Sequence, residues 1–200
     1  MKILITGGAG YIGHSLMYVL QCMSALDIEE IVVYDNLSRK SYSFFQHQKF
    51  KNIPVKFIEA ELLDERSLEK ALIGIDTVVH LAAKVITPFF DAESHFFDQI
   101  NHWGTALLVN CVLRSEVKHF IQLSSASIYG RTEKPVDEKT EPHPFSFYGI
   151  SKYNAEKQVD LLSEKCKVHI LRSGNVYGFN PSLRIDAVIN KYMFNAHFNG

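Results

Sequence analysis

"KILITGGAGYIG" (residues 2–13) carries a short apolar run, rich in β-branched residues, straight into a cluster of glycines. Such a run reads as a buried strand. Gly7, Gly10 and Gly13 follow it at G-x-x-G-x-x-G spacing and open "YIGHSLMYVLQCM" (11–23), whose apolar residues recur at helical spacing. Glycines there permit a tight turn and let the backbone approach a pyrophosphate. The helix N-terminus adds unpaired N–H groups and a favourable dipole. "EIVVYD" (30–35) is a second buried-strand run and ends in Asp35, 22 residues after Gly13. An acid at that place accepts hydrogen bonds from an adenosine ribose, so the stretch reads as a dinucleotide site. Asp35 also repels a 2′-phosphate, which favours NAD over NADP. Arg39 lies close enough in sequence to soften that preference, and the choice stays open on these residues alone.

Beyond this unit the alternation continues. "VKFIEA" (55–60) reads as a strand, "DERSLEKAL" (64–72) as a helix capped by Asp64, and "DTVVHLAA" (76–83) as a strand entering a small-residue loop. Residues 91–115 read as a long helical stretch interrupted by Gly104. "KHFIQLSS" (118–125) reads as a fifth strand, residues 147–165 as a helix and "KVHILRS" (167–173) as a sixth strand. Strand and helix in this rhythm make crossover units, so the expected class is α/β: a Rossmann-type, doubly wound parallel sheet with helices on both faces. Residues 130–146, polar and proline-rich, read as a loop over the carboxyl edge of that sheet. Residues 1–173 form the expected dinucleotide-binding domain, and 174–200 the start of a substrate-binding region.

Composition narrows the class. The 200 residues are 46% hydrophobic and 22% charged, enough apolar content for one substantial core. A formal net charge of −1 leaves no electrostatic footprint for nucleic acid or an anionic membrane. Cys22, Cys111 and Cys166 are odd in number and far apart, which points to a reducing compartment and away from a disulfide framework or a zinc site. The nine histidines form no metal-binding spacing, so no metal is expected. The N-terminus lacks the apolar length of a signal peptide, and no stretch reaches membrane-spanning length. A soluble cytoplasmic protein is the expectation.

Chemistry in such sheets gathers at the carboxyl ends of the strands. Three segments end there: "HLAA" (80–83), "SSASIYG" (124–130) and "YGISK" (148–152). Tyr148 and Lys152 stand four apart and share a helix face. Alone, that pair is as consistent with a solvated surface helix as with a catalytic site. Ser125, at the end of the neighbouring strand, supplies the partner that the pair otherwise lacks.

With these motifs in hand, the chain resembles the extended short-chain dehydrogenase/reductases, in the nucleotide-sugar epimerase and dehydratase branch typified by UDP-galactose 4-epimerase. "TGGAGYIG", "DNLS" (35–38), "HLAA", "NHWGT" (101–105), "SSASIYG", "PFSFYGISK" (144–152) and "LRSGNVYG" (171–178) match the family's motifs in order and spacing. The resemblance implies that Gly7, Gly10, Tyr11, Ile12 and Gly13 hold the pyrophosphate, and that Asp35 and Asn36 hold the ribose. Glu61 and Leu62 fall at the adenine site, where Glu departs mildly from the family's Asp. Leu81, Ala82, Ala83 and Asn101 fall along the cofactor path. Ser125, Tyr148 and Lys152 match the Ser-Tyr-Lys triad, and Asn175 matches a residue near the nicotinamide and sugar. Lys84 stands one place before the lysine of some epimerases and receives no role.

The implied chemistry has a physical basis. A free tyrosine has a pKa of about 10, too high for a general base at neutral pH. A nearby cation lowers it by roughly 1–3 units. Lys152, one turn along, is the expected cation, with oxidised NAD adding a second. Tyr148 then takes a hydroxyl proton while hydride leaves the same carbon, and Ser125 hydrogen-bonds the substrate oxygen. Family dehydratases carry an acid pair where this chain has Ala126 and Ser127, so dehydration is disfavoured. Nucleotide-sugar epimerisation ranks first and a sugar reductase or dehydrogenase second, with a redox-inert dinucleotide-binding module as the reading from another class. The family continues for roughly another 100 residues past "YG" (177–178) into a substrate domain, and residues 185–200 read as its first helix. A homodimer binding a nucleotide-sugar, with no nucleic acid or membrane partner, completes the expectation.

Overall fold

The computed structural model of the chain describes residues 1–46, 50, 52–85, 94–182 and 184–198. All six strand runs form strands: β1 (Lys2–Thr6), β2 (Glu30–Asp35), β3 (Val55–Glu59), β4 (Thr77–His80), β5 (His119–Ser125) and β6 (Lys167–Ser173). They pair in parallel in the order β3-β2-β1-β4-β5-β6. The first strand therefore lies mid-sheet, with Ile3 opposite Ile31 on one side and Thr77 on the other. The order reverses between β1 and β4, and the crevice outside the carboxyl ends at that point is where an open α/β sheet binds ligands.

Alternation along the strands feeds two cores. Leu4, Val32, Val78 and Phe120 face α3 (Glu65–Ala71), α5 (Gly104–Leu113) and α6 (Phe147–Val159), which contribute Leu68, Leu108, Val112 and Val159. Ile3, Ile5, Ile31, Val33 and Val79 face Met17 and Leu20 of α1 (Tyr11–Cys22), together with Phe44 of the short α2 (Ser43–Gln46). Asp64 caps α3 as expected, its side chain accepting from the Ser67 N–H at 3.1 Å. The Ser146 hydroxyl caps α6 by accepting from the Gly149 N–H at 3.0 Å. That cap starts α6 at Phe147 and fixes where Tyr148 and Lys152 project.

Two helical expectations change. Residues 91–93 lie outside the described residues. The remainder of that stretch is helical from Ser94 to Leu113, as α4 (Ser94–Phe97), a π-helical turn (Asp98–Trp103) and α5. Gly104 does not interrupt it, because its backbone is αR at φ −61 and ψ −40. A glycine is needed there for packing: a Cβ would lie 2.6 Å from Leu62 Cδ2. The helix expected over 147–165 ends at Val159 and tightens into a 3₁₀ turn over Asp160–Leu162. Residues 130–146 contain no helix or strand, as expected of the loop.

After β6 the chain turns back across the sheet edge to α1. The Tyr11 hydroxyl donates to the Gly178 carbonyl at 2.5 Å, and the Asn180 amide donates to the Tyr11 carbonyl and to Ser15 Oγ. α7 (Val188–Phe198) follows, within the helix expected over 185–200, and its apolar Val188, Tyr192 and Met193 stand exposed. No helix among the described residues is long and apolar enough to cross a membrane.

One side chain ties α1 to the segment before β3. Gln21 is buried; its Nε2 donates to the Ile53 carbonyl at 2.8 Å, and its Oε1 accepts from the Asn52 and Ile53 N–H groups, each at 3.0 Å. Gln21→Leu should strand those backbone groups and lower stability by about 1–3 kcal/mol. Urea denaturation measures the loss. Dinucleotide affinity, read by calorimetry, should stay unchanged, because Gln21 lies away from the carboxyl-end crevice.

Candidate active site

The crevice at the switch point is a cavity of about 750 Å³. Its floor is the glycine loop. Gly7 adopts φ +69, and a Cβ there would lie 2.6 Å from the Ala82 backbone nitrogen. At Gly13 a Cβ would lie 2.5 Å from both Cα and the carbonyl oxygen of Gly8. Only glycine allows both approaches, which bring the loop against β4 and seat α1 on the turn. Gly10 starts α1 and offers no side-chain cap. The first-turn N–H groups of α1 thus have no side-chain acceptor, as an anion-binding terminus requires. A pyrophosphate fits this cradle.

Asp35 sits at the end of β2 with its carboxylate held by the loop. Oδ2 accepts from the Ala9 N–H at 3.1 Å and Oδ1 from the Leu37 N–H at 2.8 Å. Burial pushes its pKa up, against the pull of those two hydrogen bonds. An ionised carboxylate has acceptor sites for about four donors, so two remain for ribose hydroxyls. Asn36, beside it, donates to Glu61 Oε2 at 2.9 Å, and Glu61 and Leu62 line the same end of the cavity. Gly7, Gly10, Tyr11, Ile12, Gly13, Leu81, Ala82, Ala83 and Asn175 line it too, with Ser125, Tyr148 and Lys152.

Asn101 is placed differently. It is buried behind the cavity wall and acts as a clamp. Its Oδ1 accepts from the Lys84 N–H at 2.8 Å, while its Nδ2 donates to the Lys84 carbonyl and to Ser151 Oγ. It thus holds the loop after β4 to α6 and bears on the cavity only through them. The π-helical turn sets it there.

Behind this clamp runs a buried hydrogen-bonded chain that sequence reasoning missed, because it read "HLAA" for its cofactor-path residues Leu81, Ala82 and Ala83 and gave His80 no role. Thr105 Oγ1 donates to the Asn101 carbonyl and so accepts from His80 Nε2 at 2.9 Å. His80 Nδ1 then accepts from Thr6 Oγ1 at 2.7 Å, and Thr6 Oγ1 accepts from the Ala82 N–H. This arrangement assigns the Nε2–H tautomer to a neutral His80. Burial, helped by the charge on Lys152, pushes its pKa down to about 3.

The triad differs from expectation in its electrostatics. Lys152 was expected to lower the Tyr148 pKa. Instead burial pushes the Tyr148 phenol up, offset by a hydrogen bond with Ser125 and by the charge on Arg184. The Lys152 ammonium is drawn to the sheet edge and donates to the Leu123 carbonyl at 2.7 Å. Its own pKa is pushed down to about 8 by burial, with Glu156 pulling upward. Ser125 Oγ accepts from the Ser127 N–H at 3.2 Å and the Ser127 hydroxyl at 2.9 Å, which orients it.

Arg184 and Asp186, also absent from the sequence reading, line the same cavity, and the Arg184 charge acts on Tyr148. The Arg184 NH2 lies 2.7 Å from Asp186 Oδ2, and Arg39, from the β2 side, lies 3.8 Å from the same oxygen. Nothing in the periodicity of 179–187 marks these residues, because their meeting depends on the return of the chain from β6.

The family model for the NAD dependent epimerase/dehydratase family matches residues 3–197. Among curated relatives, UDP-glucose 4-epimerase of Bacillus subtilis is 31% identical over 92% of this chain and 56% of its own length. dTDP-D-glucose 4,6-dehydratase of Homo sapiens is 30% identical over 96% of this chain and 55% of its own. The solved structure of UDP-glucuronic acid 4-epimerase from Bacillus cereus in complex with NAD superposes with a TM-score of 0.84 at 28% identity. That match covers 98% of this chain and 63% of that one. The chain thus spans about half the length of the curated relatives it matches.

The buried His80 makes stability depend on pH with a definite sign. Its folded pKa of about 3 lies below the ordinary 6.5, so unfolding takes up a proton between those values. Stability should fall as pH drops below about 6.5, by up to roughly 1.4 kcal/mol per pH unit. Urea titrations of the parent and of His80→Gln between about pH 6.5 and 5 read this group by difference, because Asp35, pushed up by burial, approaches the acid end of that window. His80→Gln should flatten the slope; an unchanged slope would show that His80 is not its source.

Proposed function

The chain belongs to the NAD dependent epimerase/dehydratase family, and on that premise we propose that it is an NAD-dependent nucleotide-sugar 4-epimerase. The observation that carries the reading is the turn after β5. Ser125 opens it, facing Tyr148, while Ala126 and Ser127 stand where a dehydratase needs its acids. Neither side chain can drive loss of water from a keto sugar. Epimerases and dehydratases are alike in overall identity to this chain, so it is this turn that favours one over the other.

NAD, when bound along the glycine loop, supplies the hydride acceptor and a positive charge at the triad end of the cavity. Asp35 takes the ribose hydroxyls and the N-terminus of α1 the pyrophosphate. Tyr148 takes the proton of the sugar hydroxyl. Burial keeps the phenol protonated in the free protein, so Tyr148 acts once that proton has been released to solvent, a loss that neighbouring cations favour. The proton it then takes from the sugar hydroxyl is the one it returns when the keto sugar is reduced from its other face. Ser125, with both Ser127 donors directed at its oxygen, has its own proton free for the sugar oxygen or for Tyr148. Lys152 sits below as a buried cation. The Arg39–Asp186–Arg184 cluster supports NAD over NADP, since Arg39 already faces a carboxylate.

Incubation with NAD and a panel of UDP-, dTDP- and GDP-hexoses tests this reading. The 200 residues alone should bind NAD with little or no turnover. In a form extended by the family's substrate domain the C4 epimer should accumulate, seen in the anomeric proton signals, with no net NADH. A 4-keto-6-deoxy product would instead make the protein a dehydratase, and stoichiometric NADH a dehydrogenase. Tyr148→Phe should cut turnover by roughly 10²–10⁴-fold while leaving NAD affinity nearly intact.

A further inference from the structure

We propose that Glu156, clamped by Arg172, is a positioning residue that keeps the Lys152 ammonium charged beneath the cavity, a role that rests on the oxidoreductive reading of the site. Lys152 and Glu156 stand one turn apart on α6 and are both buried, at 3% exposure each. The Glu156 carboxylate is held from β6: Arg172 Nε donates to Oε1 at 3.2 Å and NH2 to Oε2 at 2.9 Å. Arg172 NH1 donates in addition to the Tyr129 hydroxyl at 2.8 Å and to the Glu138 carbonyl at 3.1 Å. The clamp thus joins β6, α6, the Ser125-bearing turn and the loop over the sheet edge.

The charges around Lys152 come from each packed element. His80 of β4 is neutral. β5 offers the Leu123 carbonyl and no charge. The π-helical turn offers Asn101, through Ser151, and β6 offers Arg172. On α6 itself stand Tyr148, a neutral phenol, and Glu156. The region therefore holds one buried cation, one partly exposed guanidinium and a single buried carboxylate. A guanidinium does not give up its proton, so without Glu156 the like-charge cost falls on Lys152, which would become a neutral amine. The direction agrees with the upward pull of Glu156 on Lys152 against burial. A neutral Lys152 would remove the buried cation from the triad end of the cavity, leaving Arg184 as the charge that acts on Tyr148.

The test is NMR of isotope-labelled lysine in the 200-residue protein, with the Lys152 signal assigned by its loss in Lys152→Met. Glu156→Gln should lower the Lys152 titration midpoint by roughly 1–3 units. Arg172→Met should raise it, because Glu156 is then released to Lys152 alone. The double variant should fall between Glu156→Gln and the parent. A purely structural role would shift both single variants in the same direction, or neither, and either result would overturn the proposal. Should Glu156→Gln not fold, Arg172→Met decides: an unmoved or lowered midpoint rejects the role. The readout is the ionisation of one lysine, so it stands apart from turnover. Failure of the epimerase reading would show in the sugar products, with the midpoints unaffected.

Discussion

The backbone of Gly7 runs against that of Ala82 so closely that a side chain cannot enter between them. The same is true where Gly13 meets Gly8. That contact joins the end of β1 to the end of β4, at the place where the sheet reverses its order. Everything chemical in the molecule is arranged around it. α1 can begin only where Gly13 seats it, and its N-terminus then faces the crevice. Asp35 is fixed to the same loop through the Ala9 N–H, so the ribose end and the pyrophosphate end share one rigid floor. On the other side, Ala82 is held by Thr6, and Thr6 by the buried chain through His80 and Thr105 to Asn101.

Much of this is written locally in the sequence. The strands are short apolar runs with clear ends, and the glycines and Asp35 fall at fixed offsets from them. Ser125, Tyr148 and Lys152 lie at a strand end and a capped helix start, and the topology carries them to one cavity. What is not legible is long-range and polar. Asn101 reads as one of the cofactor-path residues, yet the π-helical turn directs it to the Lys84 backbone and Ser151. Gly104 reads as a break because glycine is a poor helix former, but the nearness of Leu62 explains its presence within a continuous helix. Tyr148 and Lys152 are one turn apart in any helix. Only the sheet edge shows that Lys152 bonds the Leu123 carbonyl and that burial dominates the Tyr148 pKa. Arg184 and Asp186 carry no periodic signal at all.

The site separates two tasks between two groups of elements. The first half of the sheet, β1 to β3 with α1, presents backbone N–H groups and the acids Asp35 and Glu61, a chemistry suited to holding a cofactor still. The second half, β4 to β6 with α6, presents hydroxyls and buried charges, suited to moving protons. The other charges at that end of the cavity stand against counter-charges, with Arg39 reaching across from the β2 side. Arg172 answers Glu156, and Asp186 answers Arg184 and Arg39. Lys152 is the buried cation whose own side chain bonds a carbonyl instead of an acid, so its charge is the one most sensitive to its surroundings.

The strand order has a consequence for how the molecule is made. β1 leaves the ribosome first, yet one of its two neighbours is β4, whose Thr77 pairs with Ile3. Until that later strand is synthesised, one hydrogen-bonding edge of Ile3, Leu4 and Ile5 has no partner, and the side chains on both faces are among the most apolar in the chain. Parallel pairing across so many residues forms slowly, because the intervening chain must be closed into a loop before any contact repays it. The nascent protein therefore passes through an interval in which one edge of this apolar strand is unpaired. Until β4 is made, β1 has only β2 along its other edge and α1 against one face. Translational pausing before residue 77 would lengthen that interval, and rapid synthesis through β4 would shorten it.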